Sequence, residues 1–237
     1  MIAALSILYR VSGDEEYLQA AIDAQAFIER NLSRGLKLYT SWRDGKVSGN
    51  SFLDDYAFYA AALMELYHST LNKEYLKRGE QFCREAVRRF ADEKNGGFYL
   101  SDLENKELFM RPKESYDGAI PSGNSVMAYN FVRLYQLTEK AEYRELADKQ
   151  IRYMSAQAQK YPAGHSMFLF ARLLYENPPK HVVIVLKRKS DFEKIKRRLL
   201  PLANVVVVSE SKKYPLLNDA STIYVCKNHT CFPPKNL

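Results

Sequence analysis

The sequence predicts a mainly α protein: a partial (α/α) toroid of αα hairpins over residues 1–177, followed by a small α/β subdomain over residues 178–237. Three observations lead there. A short motif containing tyrosine recurs between helical segments. Helices that are apolar around nearly their whole circumference alternate with helices that carry a single apolar stripe. After Asn177-Pro178-Pro179 the helical periodicity gives way to short, uninterrupted apolar runs.

The motif reads Gly13-Asp14-Glu15-Glu16-Tyr17-Leu18, then Asn72-Lys73-Glu74-Tyr75-Leu76, then Glu139-Lys140-Ala141-Glu142-Tyr143-Arg144. Its tyrosines are 58 and 68 residues apart, which marks an internal repeat of long units. Met1–Val11 reads as an inner helix cut short. Residues 14–33 follow as an amphipathic helix with the stripe Leu18, Ala21, Gln25, Ile28 and Leu32. Residues 51–70 are apolar nearly all round, through Phe52, Leu53, Tyr56, Phe58, Tyr59, Leu63, Met64, Leu66 and Tyr67. Such a helix must be buried on several sides. Residues 73–91 return to one stripe, 123–137 are apolar throughout, 141–159 are amphipathic, and 163–176 begin a further inner helix.

Inner and outer helices therefore alternate, and each tyrosine motif marks the turn from inner to outer. Its acidic residues suit the positive end of a helix dipole, and its tyrosines read as packing at the hairpin tip. The return connections 34–50 and 92–122 are long, and long loops inside a compact domain are usually functional or carry strands of their own. Leu36–Thr40 and Gly97–Leu100 alternate like short strands, and Arg43-Asp44-Gly45-Lys46 and Leu103-Glu104-Asn105-Lys106 look like turns. A hairpin period near 60 residues fits a six-hairpin toroid. A complete ring needs twelve helices, and about seven are present. In the tail, His181–Leu186, Asn204–Val208 and Thr222–Cys226 read as strands. Ser190–Leu200 reads as a helix capped by Ser190 and stopped before Pro201, the pattern of a buried parallel βαβ unit.

Composition bounds the function. Apolar residues make up 46% of the 237, enough for a core without disulfide support. No apolar run reaches membrane-spanning length, so no membrane partner is expected. Met1-Ile2-Ala3-Ala4-Leu5 lacks a basic region and a cleavage site, and reads as the middle of a helix. The natural protein is thus expected to begin further upstream, and three cysteines without a secretory signal point to the cytoplasm. Residues 180–237 hold 12 Lys/Arg against 4 Asp/Glu, whereas residues 1–179 hold 23 against 24. The basicity belongs to the tail and reads as a solvated face, with nucleic acid not expected as a partner.

Two loop segments lead into inner helices at equivalent places, and inner-helix N-termini face the central cavity of a toroid. The first is Trp42-Arg43-Asp44-Gly45 with Ser51-Phe52-Leu53-Asp54-Asp55-Tyr56. Paired carboxylates there suit general acid or base work if burial raises their pKa. Alternatively, Ser51 or Asp54 caps the helix. The second is Glu114-Ser115-Tyr116-Asp117-Gly118-Ala119-Ile120-Pro121-Ser122-Gly123-Asn124-Ser125, polar and small enough to admit a ligand close to the backbone, or else a capped turn. Asp54, Asp55 and Asp117 are the candidate catalytic acids. Trp42 and Tyr116 are candidate stacking platforms, and Arg43, Ser122, Asn124 and His165 candidate polar contacts. A lone histidine at such a helix start is more often structural than catalytic, which is the first reading of His165, and His68 lies at the far end of its helix. Cys226-Lys227-Asn228-His229-Thr230-Cys231 admits zinc without an evident fourth ligand, a disulfide or redox role, or plain strand-end structure, the last being expected. Cys83 reads as core. There is no phosphate-binding glycine loop, dinucleotide fingerprint or His-Glu-x-x-His pair, so no cofactor or metal is expected.

Leu53-Asp54-Asp55-Tyr56-Ala57-Phe58, Asp117-Gly118-Ala119-Ile120-Pro121-Ser122-Gly123-Asn124-Ser125 and Tyr224-Val225-Cys226-Lys227-Asn228-His229-Thr230-Cys231 together resemble one family. It comprises the large thioredoxin-domain-containing proteins of the spermatogenesis-associated and bacterial YyaL type. The resemblance implies a thioredoxin-like domain followed by a six-hairpin toroid similar to N-acylglucosamine 2-epimerases and glycosidases, of which this chain would be the C-terminal part. It further implies a carbohydrate-active unit of epimerase, isomerase or glycosidase type with a sugar or other small molecule as ligand. The second expectation is a non-catalytic module that binds a ligand or client, with self-association or the missing N-terminal half covering its open edge.

Overall fold

The computed structural model describes residues 1–103, 110–188, 190–192, 195, 199, 204–227 and 230–237. Seven α-helices come first among them: α1 (Ile2–Ser12), α2 (Glu15–Phe27), α3 (Leu53–Thr70), α4 (Lys73–Phe90), α5 (Gly123–Thr138), α6 (Ala141–Ala158) and α7 (Ser166–Glu176). The helices α1, α3, α5 and α7 pack side by side in that order as an inner layer. The helices α2, α4 and α6 pack outside, each against the inner helix that precedes it. This is an arc of an (α/α) toroid. The end helices α1 and α7 each lie against one inner neighbour. None of the described helices is long and apolar enough to cross a membrane.

The repeat is a helix stop and restart. Ser12, Thr70 and Thr138 each donate a hydroxyl hydrogen bond to the carbonyl four residues back, on Leu8, Leu66 and Leu134. Each then accepts from the N–H two residues ahead, on Asp14, Asn72 and Lys140. The residue between adopts the left-handed region, Gly13 at φ 75°, Leu71 and Glu139 at φ 55°, and so ends the inner helix. Asp14 and Asn72 then accept from the N–H of Glu16 and Glu74 as caps of the outer helix. Tyr143 is fully buried, and Tyr17 and Tyr75 pack half-buried against the same core.

The amphipathic run 14–33 is helical only to Phe27 and closes in a π-turn over Ile28–Leu32. Three antiparallel strands follow: β1 (Ser33–Arg34), β2 (Lys37–Arg43) and β3 (Lys46–Asn50), in the order β1-β2-β3. The turn between β2 and β3 places Asp44 at φ 50° and Gly45 at φ 77°, the geometry that matches strand twist in a two-residue hairpin. Residues 97–100 do not form a strand. They run beside α3 and α4 with isolated bridges only, Ala91 to Phe98 and Phe52 to Ser101. Of the second expected turn, Glu104, Asn105 and Lys106 lie outside the described residues.

In the tail, β4 (His181–Val185) pairs in parallel with β5 (Val205–Val208) and antiparallel with β6 (Thr222–Lys227). β6 also pairs with β7 (Thr230–Cys231) and β8 (Lys235–Asn236). The parallel pair fits the βαβ reading. β6 departs from it, because the segment between β5 and β6 contains no crossover helix to reverse the chain direction. Ser190, Asp191, Phe192, Ile195 and Leu199 are helical, while Pro201 and the intervening residues lie outside the described residues. Val182, Ile184, Val205 and Val207 on one sheet face pack against Tyr67, Leu71 and Leu137. The Tyr67 hydroxyl donates to the Val205 carbonyl at 2.9 Å. The sheet thus seals the hairpin-tip end of α3 and α5, and leaves the opposite end to the long loops.

Candidate functional site

The N-terminal ends of α3, α5 and α7 meet at one rim. Leu53 N–H donates to the Leu100 carbonyl at 2.9 Å, and Phe98 N–H donates to Asn124 Oδ1 at 2.8 Å. Asp117 N–H reaches the Gly164 carbonyl at 2.7 Å. The two polar segments flagged in the sequence therefore lie together.

Their side chains divide into two groups. In the first, the polar atoms hold protein together. Asp117, 8% exposed, accepts at Oδ1 from the Ser122 N–H (2.9 Å) and hydroxyl (3.3 Å). Its Oδ2 accepts from the N–H groups of Met167 (2.8 Å) and Phe168 (3.3 Å), which lie in the first turn of α7. Asp117 thus caps a helix fifty residues away. Ser122 caps α5 through the Ser125 N–H. Asn124, fully buried, donates to the carbonyls of Phe98 (2.9 Å) and Glu114 (2.7 Å) and accepts from Gln150 (3.1 Å). His165 Nδ1 sits 2.8 Å from the Tyr161 carbonyl and therefore donates, while its Nε2 is buried without a partner among the described residues. Tyr116 stacks on Tyr161 with centroids 6.3 Å apart, over Gly164.

The second group opens on a cavity of about 650 Å³ between α1, the end of α2, β2 and the start of α3. Its walls include Phe27, Tyr39, Phe58 and Tyr59, with Asp54 and Asp55 at the start of α3 and Ile120 from the second loop. Trp42 does not line it but braces Phe27 edge-on at 5.6 Å. Arg43 points away and pairs with Asp44 in solvent. The cap of α3 is neither Ser51 nor Asp54: Asp55 Oδ2 reaches back to accept from the Phe52 N–H at 2.8 Å. Burial raises the Asp55 pKa, partly offset by that bond. Burial also raises the Asp54 pKa, the Gly123 N–H pulls it back, and the charges of Asp55 and Glu114 add to the rise. Asp54 Oδ1 is buried beside Gly123 and makes no hydrogen bond of full geometry. A half-buried carboxyl with a raised pKa at the wall of a cavity is suited to hold or deliver a proton.

A further polar cluster escaped the sequence reading. Arg10 on α1 pairs with Glu65 Oε2 on α3 at 2.6 Å, and Tyr129 on α5 donates to Glu65 Oε1 at 3.2 Å. Arg133 donates to His68 Nε2 at 2.9 Å, which places the ring proton on Nδ1, facing Glu65 Oε2 at 3.9 Å. Burial pulls the His68 pKa down to about 4. The Glu65 pKa is lowered as well, because hydrogen bonds and charges from His68 and Arg10 outweigh the cost of burial. The signal was a charged or polar residue on each of three apolar inner helices. Among the described residues no group of His, Cys, Asp and Glu has a metal-binding arrangement. The expected strand-end role of Cys226 and Cys231 is corrected: they form a disulfide across β6 and β7. Cys83 is buried core.

No family model matches the chain. It is 28% identical over 255 residues to an uncharacterised protein of Caenorhabditis elegans, covering 98% of this chain and 35% of that protein. It is 25% identical over 262 residues to human spermatogenesis-associated protein 20, covering 99% of this chain and 33% of that one. The chain thus spans about a third of the length of the curated relatives it matches. Among solved structures, a glycoside hydrolase family 76 α-mannanase of Bacteroides thetaiotaomicron superposes with TM-score 0.54 at 19% identity, over 66% of this chain and 42% of that one. Cellobiose 2-epimerase of Spirochaeta thermophila superposes with TM-score 0.51 at 20% identity, over 63% and 40%. By sequence, then, the chain is similar to spermatogenesis-associated protein 20, and by fold to the α/α toroids of glycosidases and epimerases.

Proposed function

We propose that the helical part is a carbohydrate-active unit of epimerase, isomerase or glycosidase type, working at the rim cavity beside Asp54. The observation that carries this reading is the cavity itself. Flat aromatic walls suit the apolar faces of a sugar ring, and a cavity-lining acid with a raised pKa suits an anomeric or glycosidic oxygen. Asp54 is the general acid, Asp55 fixes the start of α3, and Phe58 and Tyr39 hold the sugar. Asp117, Ser122 and Asn124 keep the rim in register, and Trp42 braces the wall. The chain is read as a share of a six-hairpin ring, a reading supported by its covering about two fifths of the toroidal enzymes.

A panel of mono- and disaccharides tests the proposal by thermal shift and calorimetry, with proton NMR for turnover. The expected result is a raised melting temperature with at least one sugar. Phe58→Ala abolishes the shift, and Asp54→Asn retains binding but loses turnover. A panel without any shift sinks the reading.

A second reading is a non-catalytic interaction module. It is favoured by exposed Ile7, Leu8 and Val11 on α1 and by Leu169, Phe170 and Leu173 on α7, the two ends of the arc. Light scattering that gives a monomer at high concentration counts against self-association through those edges.

A further inference from the structure

We propose that the Cys226–Cys231 disulfide is an exchangeable bond, and that the cavity beside it receives a low-molecular-weight thiol. The two cysteines are direct cross-strand partners on β6 and β7, five residues apart. A bridge over so short a loop removes little freedom from the unfolded chain, and the strands it joins are already hydrogen-bonded. Structural stapling is a weak account of it.

The two sulfurs are placed unequally. Cys226 is 6% exposed and packs among Val183, Val185, Tyr214 and Tyr224, whereas Cys231 is exposed. An incoming thiolate has access to Cys231, which makes Cys226 the leaving group. Both cysteines line a cavity of about 370 Å³ where the sheet meets the ends of α5 and α7. Its wall holds Asn204, 2% exposed, with Oδ1 buried and without a partner among the described residues. The Gln136 carbonyl, 3.2 Å from Asn204 Nδ2, fixes the amide orientation, so the same Nδ2 donates to His181 Nδ1 at 3.0 Å. His181 then carries its proton on Nε2. It is the cross-strand partner of Cys226 in β4 and lines the same cavity. Side chains so paired share a sheet face at close range.

The exchange follows. A thiolate attacks Cys231 Sγ and forms a mixed disulfide. The Cys226–Cys231 bond breaks, its electron pair leaves on Cys226, and that thiolate takes up from water the proton that the attacking thiol gave up. A second thiol attacks the sulfur of the first and releases Cys231 as a thiol. Two thiols are oxidised to one disulfide, and the protein disulfide is reduced to two thiols.

The full chain is incubated natively with 2-mercaptoethanol, with glutathione, and with a folded protein dithiol. Alkylation and peptide mass spectrometry then follow each cysteine. The expected result is opening by both small thiols without loss of circular dichroism, with the mixed disulfide on Cys231. A bond that opens only on denaturation, a mixed disulfide on Cys226, or opening by the protein dithiol alone overturns the proposal. The variants give a second readout: Cys231 in Cys226→Ser is labelled at least about tenfold faster than Cys226 in Cys231→Ser, as its exposure requires. Equal rates overturn the assignment of the attacked sulfur.

Discussion

A β-carbon added to Gly123 would sit 2.4 Å from Asp54 Oδ1 and 2.9 Å from the Leu53 side chain. The first residue of α5 thus touches the acid at the start of α3 with nothing between them. Gly123→Ala must displace Leu53 or Asp54, and overpacking of this kind costs about 1–3 kcal/mol. Urea denaturation is expected to show that loss, and any sugar that shifts the wild type should bind the variant more weakly.

Asp54→Asn should show the opposite balance. A carboxyl with a raised folded pKa stabilises the protein below its ordinary value of 3.8, and that contribution is lost as pH rises through the folded value. Ionised Asp54 therefore destabilises the fold at neutral pH. The amide variant is expected to be more stable at pH 7, by less than about 1 kcal/mol after solvent screening. The advantage shrinks toward pH 4. Melting curves across that range check it, and turnover is lost in the same variant.

Asp117→Ala removes the four hydrogen bonds that tie the Ser122 turn to the first turn of α7. The expected loss is about 2 kcal/mol in chemical denaturation. If Asp117 works only as that joint, sugar affinity of the folded variant stays within a few-fold of wild type. A loss of turnover with unchanged stability would instead make it a catalytic acid.

His68 and Glu65 set the acid limit. His68 has a folded pKa of about 4 against an ordinary 6.5, so its contribution is present above 6.5 and is lost as pH falls toward 4. Glu65, lowered from 4.5, loses its contribution below that value. The urea midpoint should fall from pH 6.5 downward, with His68 responsible for on the order of 2–3 kcal/mol. In His68→Gln the curve should flatten between pH 6.5 and 4.5 while the fall below 4.5 remains.

The helices of this protein were determined locally. Apolar periodicity marked all seven, and the thrice-used turn after Ser12, Thr70 and Thr138 marked where inner helices end, because both signals act through neighbours on the same chain. The tertiary structure decided which polar residues are held by distant backbone. Asp54 and Asp117 read alike in sequence, yet Asp117 meets N–H groups fifty residues downstream while Asp54 Oδ1 meets none in full geometry. His68, set aside at the end of its helix, accepts from Arg133 and faces Glu65, which pairs with Arg10, so that three helices far apart in the chain meet there. The direction of β6 and the pairing of Cys226 with Cys231 likewise depend on strand register. A hydrogen bond or ion pair needs two groups within about 3 Å, and for these residues only the packing of the inner helices and of the sheet brings the second group there.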